Sequence, residues 1–424
     1  MPLIDYLILA PLQQEWTAAR GVLPPEPGRV RRVPDGSLTY RTWTQPVATR
    51  QYEGEYLVAA TPMDLWTPGG EKAAAVAANA LARWHPSRLV LVGIAGSITP
   101  DTVRLGDVVV AAQVYGYGVS EAHDGGEVLR PTFHQPGAID LNRAVTFQDD
   151  DAAYEAWRAA CLQDADTHGL GSQVKDPPKL HLGVIASGNR VVKSKAFGER
   201  LKQEINKYIV AVEMEAMAVH QAVYVTAGRT DALTVRGISD YADPDKERLE
   251  KASNDGWRTW AAANAARLVR SLLEYGVTAP LSPSYHLDLR RGQRDRFGQP
   301  GVPRFAYKHV GSQDVAFPWL LRRGAPTPEL TLRVAATMAD GSPAQGSVGV
   351  CLTETPGRAV VHGTPQKHGG LGFVLPPSAW GMNAELLLSF PQTVRQIAVS
   401  CEDDFGRAAT ASLDLSPPTP RGTP

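Results

Sequence analysis

Thr234-Val235-Arg236-Gly237-Ile238-Ser239-Asp240-Tyr241-Ala242-Asp243 is the stretch on which the reading of this chain turns. The apolar run from Ala232 to Val235 leads into it, and a Gly, a Ser and two Asp follow. A short apolar run closed by turn residues reads as a buried strand. A carboxylate where such a strand leaves the sheet stands at the rim where open α/β sheets keep their ligand sites. Asp240 is therefore read as a general acid, beside the plainer reading of a turn or cap residue.

Working outward, apolar runs of the parallel-strand type occur at 7–10, 56–62, 89–92, 108–112, 180–186 and 208–212. Helical patterns alternate with them. One starts at Gln13; others cover 71–84 and 195–206, follow Glu215 to about 226, and run over 247–275. This alternation argues for an α/β fold with a mixed central sheet flanked by helices, over residues 1–277. From 115 to 178 the pattern weakens to one helix around 152–165, and the stretch reads as an insertion over the sheet edge or the site.

Beyond residue 277 the composition shifts. Pro, Gly and eight basic residues between 282 and 324 mark 278–328 as a linker. From 329 to 415, short β-type runs recur at 330–335, 346–353, 372–375, 385–390, 396–401 and 408–415. Their spacing predicts a small all-β sandwich. Residues 416–424 are Pro-rich and read as a disordered tail.

Composition narrows the classes of function. A chain of 424 residues is long enough for two or three domains. A formal net charge of −1 offers no global field for nucleic acid or an anionic membrane. Cys161, Cys351 and Cys401 are too few and scattered for a disulfide framework or a zinc site, so free thiols and a cytoplasmic location are expected. No window approaches the roughly 20 apolar residues of a membrane span. The ten His show no metal-ligand spacing, and no cofactor or metal is expected.

Three carboxylates fall at expected strand ends: Glu15, Glu215 and Asp240. Glu213 and Glu215 are two apart. In an extended segment both would point to one face with Met214 on the other; in a first helical turn they would diverge, favoured there by the helix dipole.

Ser239-Asp240-Tyr241-Ala242-Asp243 after its strand, and Val212-Glu213-Met214-Glu215-Ala216 about 25 residues earlier, resemble the nucleoside phosphorylase/purine nucleosidase superfamily. Gly93-Ile94-Ala95-Gly96-Ser97, the following Leu105-Gly106-Asp107-Val108-Val109, and Ser187-Gly188-Asn189 fit it in the same order. The resemblance covers roughly residues 4–275 and is nearest to methylthioadenosine/S-adenosylhomocysteine nucleosidase-like hydrolases. It implies that Asp240, with Ser239 beside it, protonates N7 of a purine. It implies that Glu215 and Glu213 lie at the ribose, that Met214 packs on the ribose, and that Glu15 activates water. Ile94, Val191 and Val192 would line the site. The phosphorylases' Arg in the first loop is replaced by Pro11-Leu12-Gln13-Gln14-Glu15, and their Arg/Ser pair at the glycine loop by Leu91 and Ile94. Hydrolysis is therefore favoured, with phosphorolysis and non-catalytic nucleotide sensing as alternatives.

Arg190, Lys193 and Lys195 follow the base-side motif, and Lys246 follows the acid motif. Such a cluster suits the 5′ phosphates of a nucleotide, against the plainer reading of a solvated helix start. Related chains with an added domain resemble effector nucleosidases of bacterial defence. The resemblance also implies a homo-oligomer, with the β-domain free to meet a protein partner.

Overall fold

The computed structural model describes residues 4–24, 30–48, 53–63, 69–124, 126–226 and 230–276. Beyond them it describes 285–287, 290–291, 312–321, 330–338, 340–342, 349–352, 360–361, 364–365, 371–375, 385–391, 394–403 and 408–414. The chain divides into two units, Met1–Leu281 and Ser282–Pro424.

In the first unit, β1 (Ile4–Ala10) is buried along its whole length and leads into α1 (Gln13–Val22). The strands β2 (Arg31–Asp35), β3 (Leu38–Ala48) and β4 (Glu53–Pro62) follow, then α2 (Gly70–Trp84), β5 (Pro86–Ser97) and β6 (Val108–Gly116). β7 (Ser120–His123) and β8 (Gly126–Leu129) pair with each other, and β9 (Thr132–His134) folds back on β6. Next come α3 (Ala138–Asp149), α4 (Asp151–Asp164), β10 (Leu180–Ser187), α5 (Lys195–Glu204) and β11 (Ile209–Glu213). The unit ends with α6 (Ala216–Thr226), β12 (Asp231–Asp240), α7 (Lys246–Ala252) and α8 (Gly256–Tyr275). No helix among the described residues is long and apolar enough to cross a membrane.

The sheet is mixed, as the strand–helix alternation predicts. Its order is β11-β10-β6-β12-β5-β1-β4-β3-β2. β5 lies parallel to β1 and β12, while β6 runs antiparallel to β12. β11 lies parallel to β10 and also turns back antiparallel onto β5, pairing Ala211 with Ser97 and Val212 with Gly96. Strands β5, β12, β6, β10 and β11 thereby close on themselves. This closure brings the last residues of β5, β11 and β12 to one place.

A register shift completes the arrangement. Ile238 of β12 sits opposite Ala95, but the next paired residue, Asp240, sits opposite Gly96. Ser239 is the extra residue of a β-bulge, a device that re-aims side chains at a strand end. The residue after the strand exit, Tyr241, is followed by Ala242 at φ 50°, a left-handed conformation that L-residues adopt at a cost of about 1–2 kcal/mol.

Several expectations change. The helix read over 247–275 is two helices, α7 and α8, broken where Asn254 and Asp255 take positive φ values of 48° and 60°. The stretch read as an insertion belongs to the main core. Ala144 and Phe147 of α3 and Trp157 and Cys161 of α4 pack in one cluster with Leu268 and Leu272 of α8. α3 escapes a pattern reading because Asp140, Asn142, Arg143, Thr146 and Gln148 dilute its few apolar positions.

In the second unit, the stretch read as linker carries a strand. Ser312–Leu321 pairs antiparallel with Glu385–Pro391, and Tyr285–Leu287 and Arg290–Arg291 pair with it in turn. Arg, Gly and Pro around this segment hide its apolar run from Val315 to Leu321. The expected runs at 330–335 and 396–401 fall within Leu330–Met338 and Val394–Asp403, which pair with each other. Leu371–Leu375, on the other edge of Leu330–Met338, and Ala408–Asp414, beyond Val394–Asp403, flank them in an antiparallel sheet. The tail 416–424 lies outside the described residues.

Candidate active site

Arg236 is the centre of the site, although its charge makes it unexpected in a buried strand. Its side chain is 0 % exposed. Nη2 donates to Glu213 Oε2 and stands 3.5 Å from Glu215 Oε2, and Nη1 stands 3.9 Å from Glu15 Oε1. Three elements thus each send one carboxyl to one guanidinium: α1, the end of β11, and the turn before α6. Burial of an ion is tolerated only when paired and hydrogen-bonded, and Arg is suited to several partners at once. Among the described residues, Nε and Nη1 find no hydrogen-bond acceptor.

Glu15 is fixed by local chain geometry. It is the third residue of α1, and Oε2 accepts a hydrogen bond from Leu12 N at 2.7 Å, as in one half of a capping box. Oε1 accepts from Ile94 N at 2.8 Å, tying the helix start to β5. Gly93 makes room for this contact. A Cβ there would collide with Arg236 Nη1 and come within 2.5 Å of Glu15 Oε1. Burial raises the Glu15 carboxyl above its ordinary range, although Arg236 and the two backbone N–H groups oppose it.

Glu213 ends β11, and its carboxylate caps the chain that follows. It accepts from Glu215 N at 3.1 Å and from Ala216 N at 2.9 Å, besides Arg236. Its side chain is 1 % exposed. The carboxylate expected at the ribose is thus engaged by Arg236 and by the start of α6. Glu215 is buried too, and burial together with Glu213 raises its carboxyl to about 8 against the pull of Arg236. Met214, between them, is half-buried.

Asp240 is 1 % exposed and accepts at both oxygens. Oδ1 takes Ala242 N at 2.9 Å, and Oδ2 takes Ser239 Oγ at 2.9 Å and Lys246 Nζ at 2.8 Å. Asp243 closes the same turn: its Oδ1 accepts from Asp245 N at 3.0 Å and its backbone carbonyl from Lys246 N at 3.2 Å. Gly96 lies opposite Asp240, and a Cβ there would stand 2.6 Å from Oδ1. One strand, β5, thus meets Glu15 and Arg236 at Gly93 and Asp240 at Gly96. Three residues of extended chain separate those positions by about 10 Å.

A sequence comparison covers β5, β11, β12 and the turns that follow them. Residues 20–274, more than half of the chain, match the sequence model of the phosphorylase superfamily. The chain belongs to the phosphorylase superfamily. Glu15 precedes the matched residues, so its place in this superfamily member rests on the geometry above. Solved structures align at low identity. Futalosine hydrolase of Helicobacter pylori has 19 % identity over 64 % of this chain and 97 % of its own, at a TM-score of 0.45. The 5'-methylthioadenosine/S-adenosylhomocysteine nucleosidase of the same organism has 19 % over 64 % and 98 %, at 0.46. S-adenosylhomocysteine nucleosidase of Streptococcus pyogenes has 20 % over 65 % and 98 %, at 0.45. No curated protein matches the chain.

The remaining expected positions of this superfamily member divide. Ile94 contributes its backbone N–H to Glu15, and its side chain is partly exposed. Val192 is buried in a cluster with Ile98, Tyr117 and Ala242, while Val191 is 53 % exposed. The basic cluster is matched charge for charge. Arg190 faces Glu127 at 3.6 Å, Lys193 faces Glu247 at 2.5 Å and Lys195 faces Asp243 at 3.5 Å. The three basic side chains are 44–76 % exposed, so each pair lies at the surface.

Two residues went unread in the sequence. Arg236 had a visible signal, a charge inside an otherwise apolar strand, which needs buried carboxylates elsewhere in the chain. Tyr117 had none. It is buried and its hydroxyl reaches Gly188 O at 3.4 Å and Arg190 O at 3.3 Å, holding the loop that precedes Val191.

Proposed function

We propose that the protein hydrolyses the N-glycosidic bond of a purine nucleoside, releasing free base and ribose. Glu15 is the base on water and Asp240 the acid on the leaving purine. Water attacks C1′ as Glu15 takes its proton, the C1′–N9 bond breaks with its electrons passing into the purine, and N7 receives a proton from Asp240. The transition state places positive charge on the sugar, and in this reading Glu215 holds the ribose hydroxyls. Arg236 keeps the carboxyls of Glu15 and Glu215 in place.

The observation that carries this reading is the charge at Glu15. Three carboxyls share one guanidinium that is already engaged, and a phosphate anion entering beside them would meet repulsion, whereas water would meet a base. The neutralised basic cluster favours an uncharged nucleoside over a nucleotide.

The test is base release from adenosine, methylthioadenosine, inosine, AMP and ATP by purified protein, with and without inorganic phosphate. Free base and free ribose formed without phosphate support the reading. Ribose 1-phosphate formed only with phosphate would overturn it.

A further inference from the structure

Asp240 is the residue that must give a proton to the departing base, yet both of its oxygens accept hydrogen bonds. Its donors are Ala242 N, Ser239 Oγ and Lys246 Nζ. Each contact turns a donor toward the carboxyl, so a proton delivered from Asp240 is replaced from one of these neighbours. Of the three donors, a backbone amide and a Ser hydroxyl do not act as acids in water, whereas a lysine ammonium carries protons it can exchange. Lys246 is the first residue of α7, and the turn built on Asp243 returns it to Asp240.

We propose that Lys246 supplies the proton that Asp240 delivers to the leaving purine. This rests on the hydrolytic reading above. The transfer balances without any further reactant. An N–H bond of the Lys246 ammonium breaks as an O–H bond forms at Asp240, and that proton passes to N7 as the C1′–N9 electrons enter the ring. Lys246 is left as a neutral amine beside the restored Asp240 carboxylate. Its side chain is 22 % exposed while that of Asp240 is 2 % exposed, so the lysine, and not the aspartate, is placed to recover a proton from solvent.

The surroundings leave this lysine to Asp240. The other charged groups of the turn and of α7's first residues are matched elsewhere: Asp243 by Lys195 at 3.5 Å and Glu247 by Lys193 at 2.5 Å. β5 contributes Gly96 and Ser97, neither charged, at the paired strand end. Lys246 is a residue that acts through Asp240, and a structural role and a proton-supplying role predict different outcomes for it. A purely structural counter-charge is replaced well by arginine, whose guanidinium stays protonated and cannot serve as the acid.

The experiment compares wild type, Lys246→Arg, Lys246→Met and Lys246→Ala for base release across pH, with thermal unfolding to confirm that each variant folds. Asp240→Asn serves as the reference for loss of the acid. The expected result is a fall in kcat of at least about 100-fold in both Lys246→Arg and Lys246→Met, with KM changed little. Methylamine, but not guanidine, restores activity to Lys246→Ala. A Lys246→Arg or Lys246→Met enzyme with kcat within about three-fold of wild type overturns the proposal, as does equal rescue by guanidine. If wild type itself releases no base, the hydrolytic reading fails and takes the proposal with it. If wild type is active and Asp240→Asn is not, a failure of the Lys246 arms counts against this lysine alone.

Discussion

Arg236 Nη1 stands 3.9 Å from Glu15 Oε1, with both side chains sealed from solvent and packed closely over Gly93 of β5. This contact joins α1, at the start of the chain, to β12, more than 200 residues later. It makes the charge state of the site a property of the fold. Replacing Arg236 by Met leaves Glu15, Glu213 and Glu215 buried without a counter-charge. We expect a loss of about 3–5 kcal/mol in urea unfolding, the cost typical of breaking a buried ion pair from one side. Arg236→Lys keeps a charge but not the multiple donors, and falls between. A Met variant as stable as wild type would remove Arg236 from this role.

Glu15 must be ionised to act as a base, and burial raises its carboxyl above the usual range. Activity therefore falls as pH drops through that raised value, so the acid limb of kcat/KM lies above the pH of about 4.3 typical of a free glutamate. Glu15→Gln is expected to lose about 10²- to 10⁴-fold in kcat and to lack this limb. An unchanged acid limb in the Gln variant would assign it to another group.

Glu215 gives a stability effect of definite sign. Its folded carboxyl is raised from 4.5 to about 8, chiefly by burial. The unfolded chain releases that proton more readily, so the stability present below about 4.5 is lost progressively as pH rises to about 8. Glu215→Gln removes the titrating group. The melting temperature of the variant should vary less between pH 5 and pH 8 than that of wild type. Parallel curves for the two proteins would contradict it.

Gly93→Ala tests the close approach of the Glu15 and Arg236 side chains to β5. The added methyl collides with Arg236 Nη1 and with Glu15 Oε1. A destabilisation of about 1–3 kcal/mol is expected, as for other over-packed sites, together with a loss of activity. Gly118→Ala, where nothing lies within 4 Å of the added atom, is the control and should change neither.

The core strands β1, β4, β5, β6, β10, β11 and β12 were legible because their residues repeat a local pattern, whereas β2, β7, β8 and β9 were not. Ala232 to Val235 is apolar, bounded by turn residues, and buried at every position as expected. The motif residues Glu15, Glu215 and Asp240 were also visible, since each stands beside a strand that can be recognised from its own composition. α3 and the Ser312–Leu321 strand were not legible, because polar or Pro- and Arg-rich neighbours dilute their apolar positions below what a local pattern can carry.

The sequence by itself determined the apolar strands, the helices between them, and the carboxylates offered at their ends. Only the tertiary structure decided what those carboxylates meet. The return of β11 onto β5 gathers three strand ends, the bulge at Ser239 aims Asp240, and Arg236 finds acids from α1, the end of β11 and the turn before α6. Lys246 and the neutralised pairs of Arg190, Lys193 and Lys195 belong to the same category. The reason is physical. Hydrophobic periodicity is a short-range property of the chain, whereas the partner of a buried charge is fixed by which distant segments packing brings within a few ångströms.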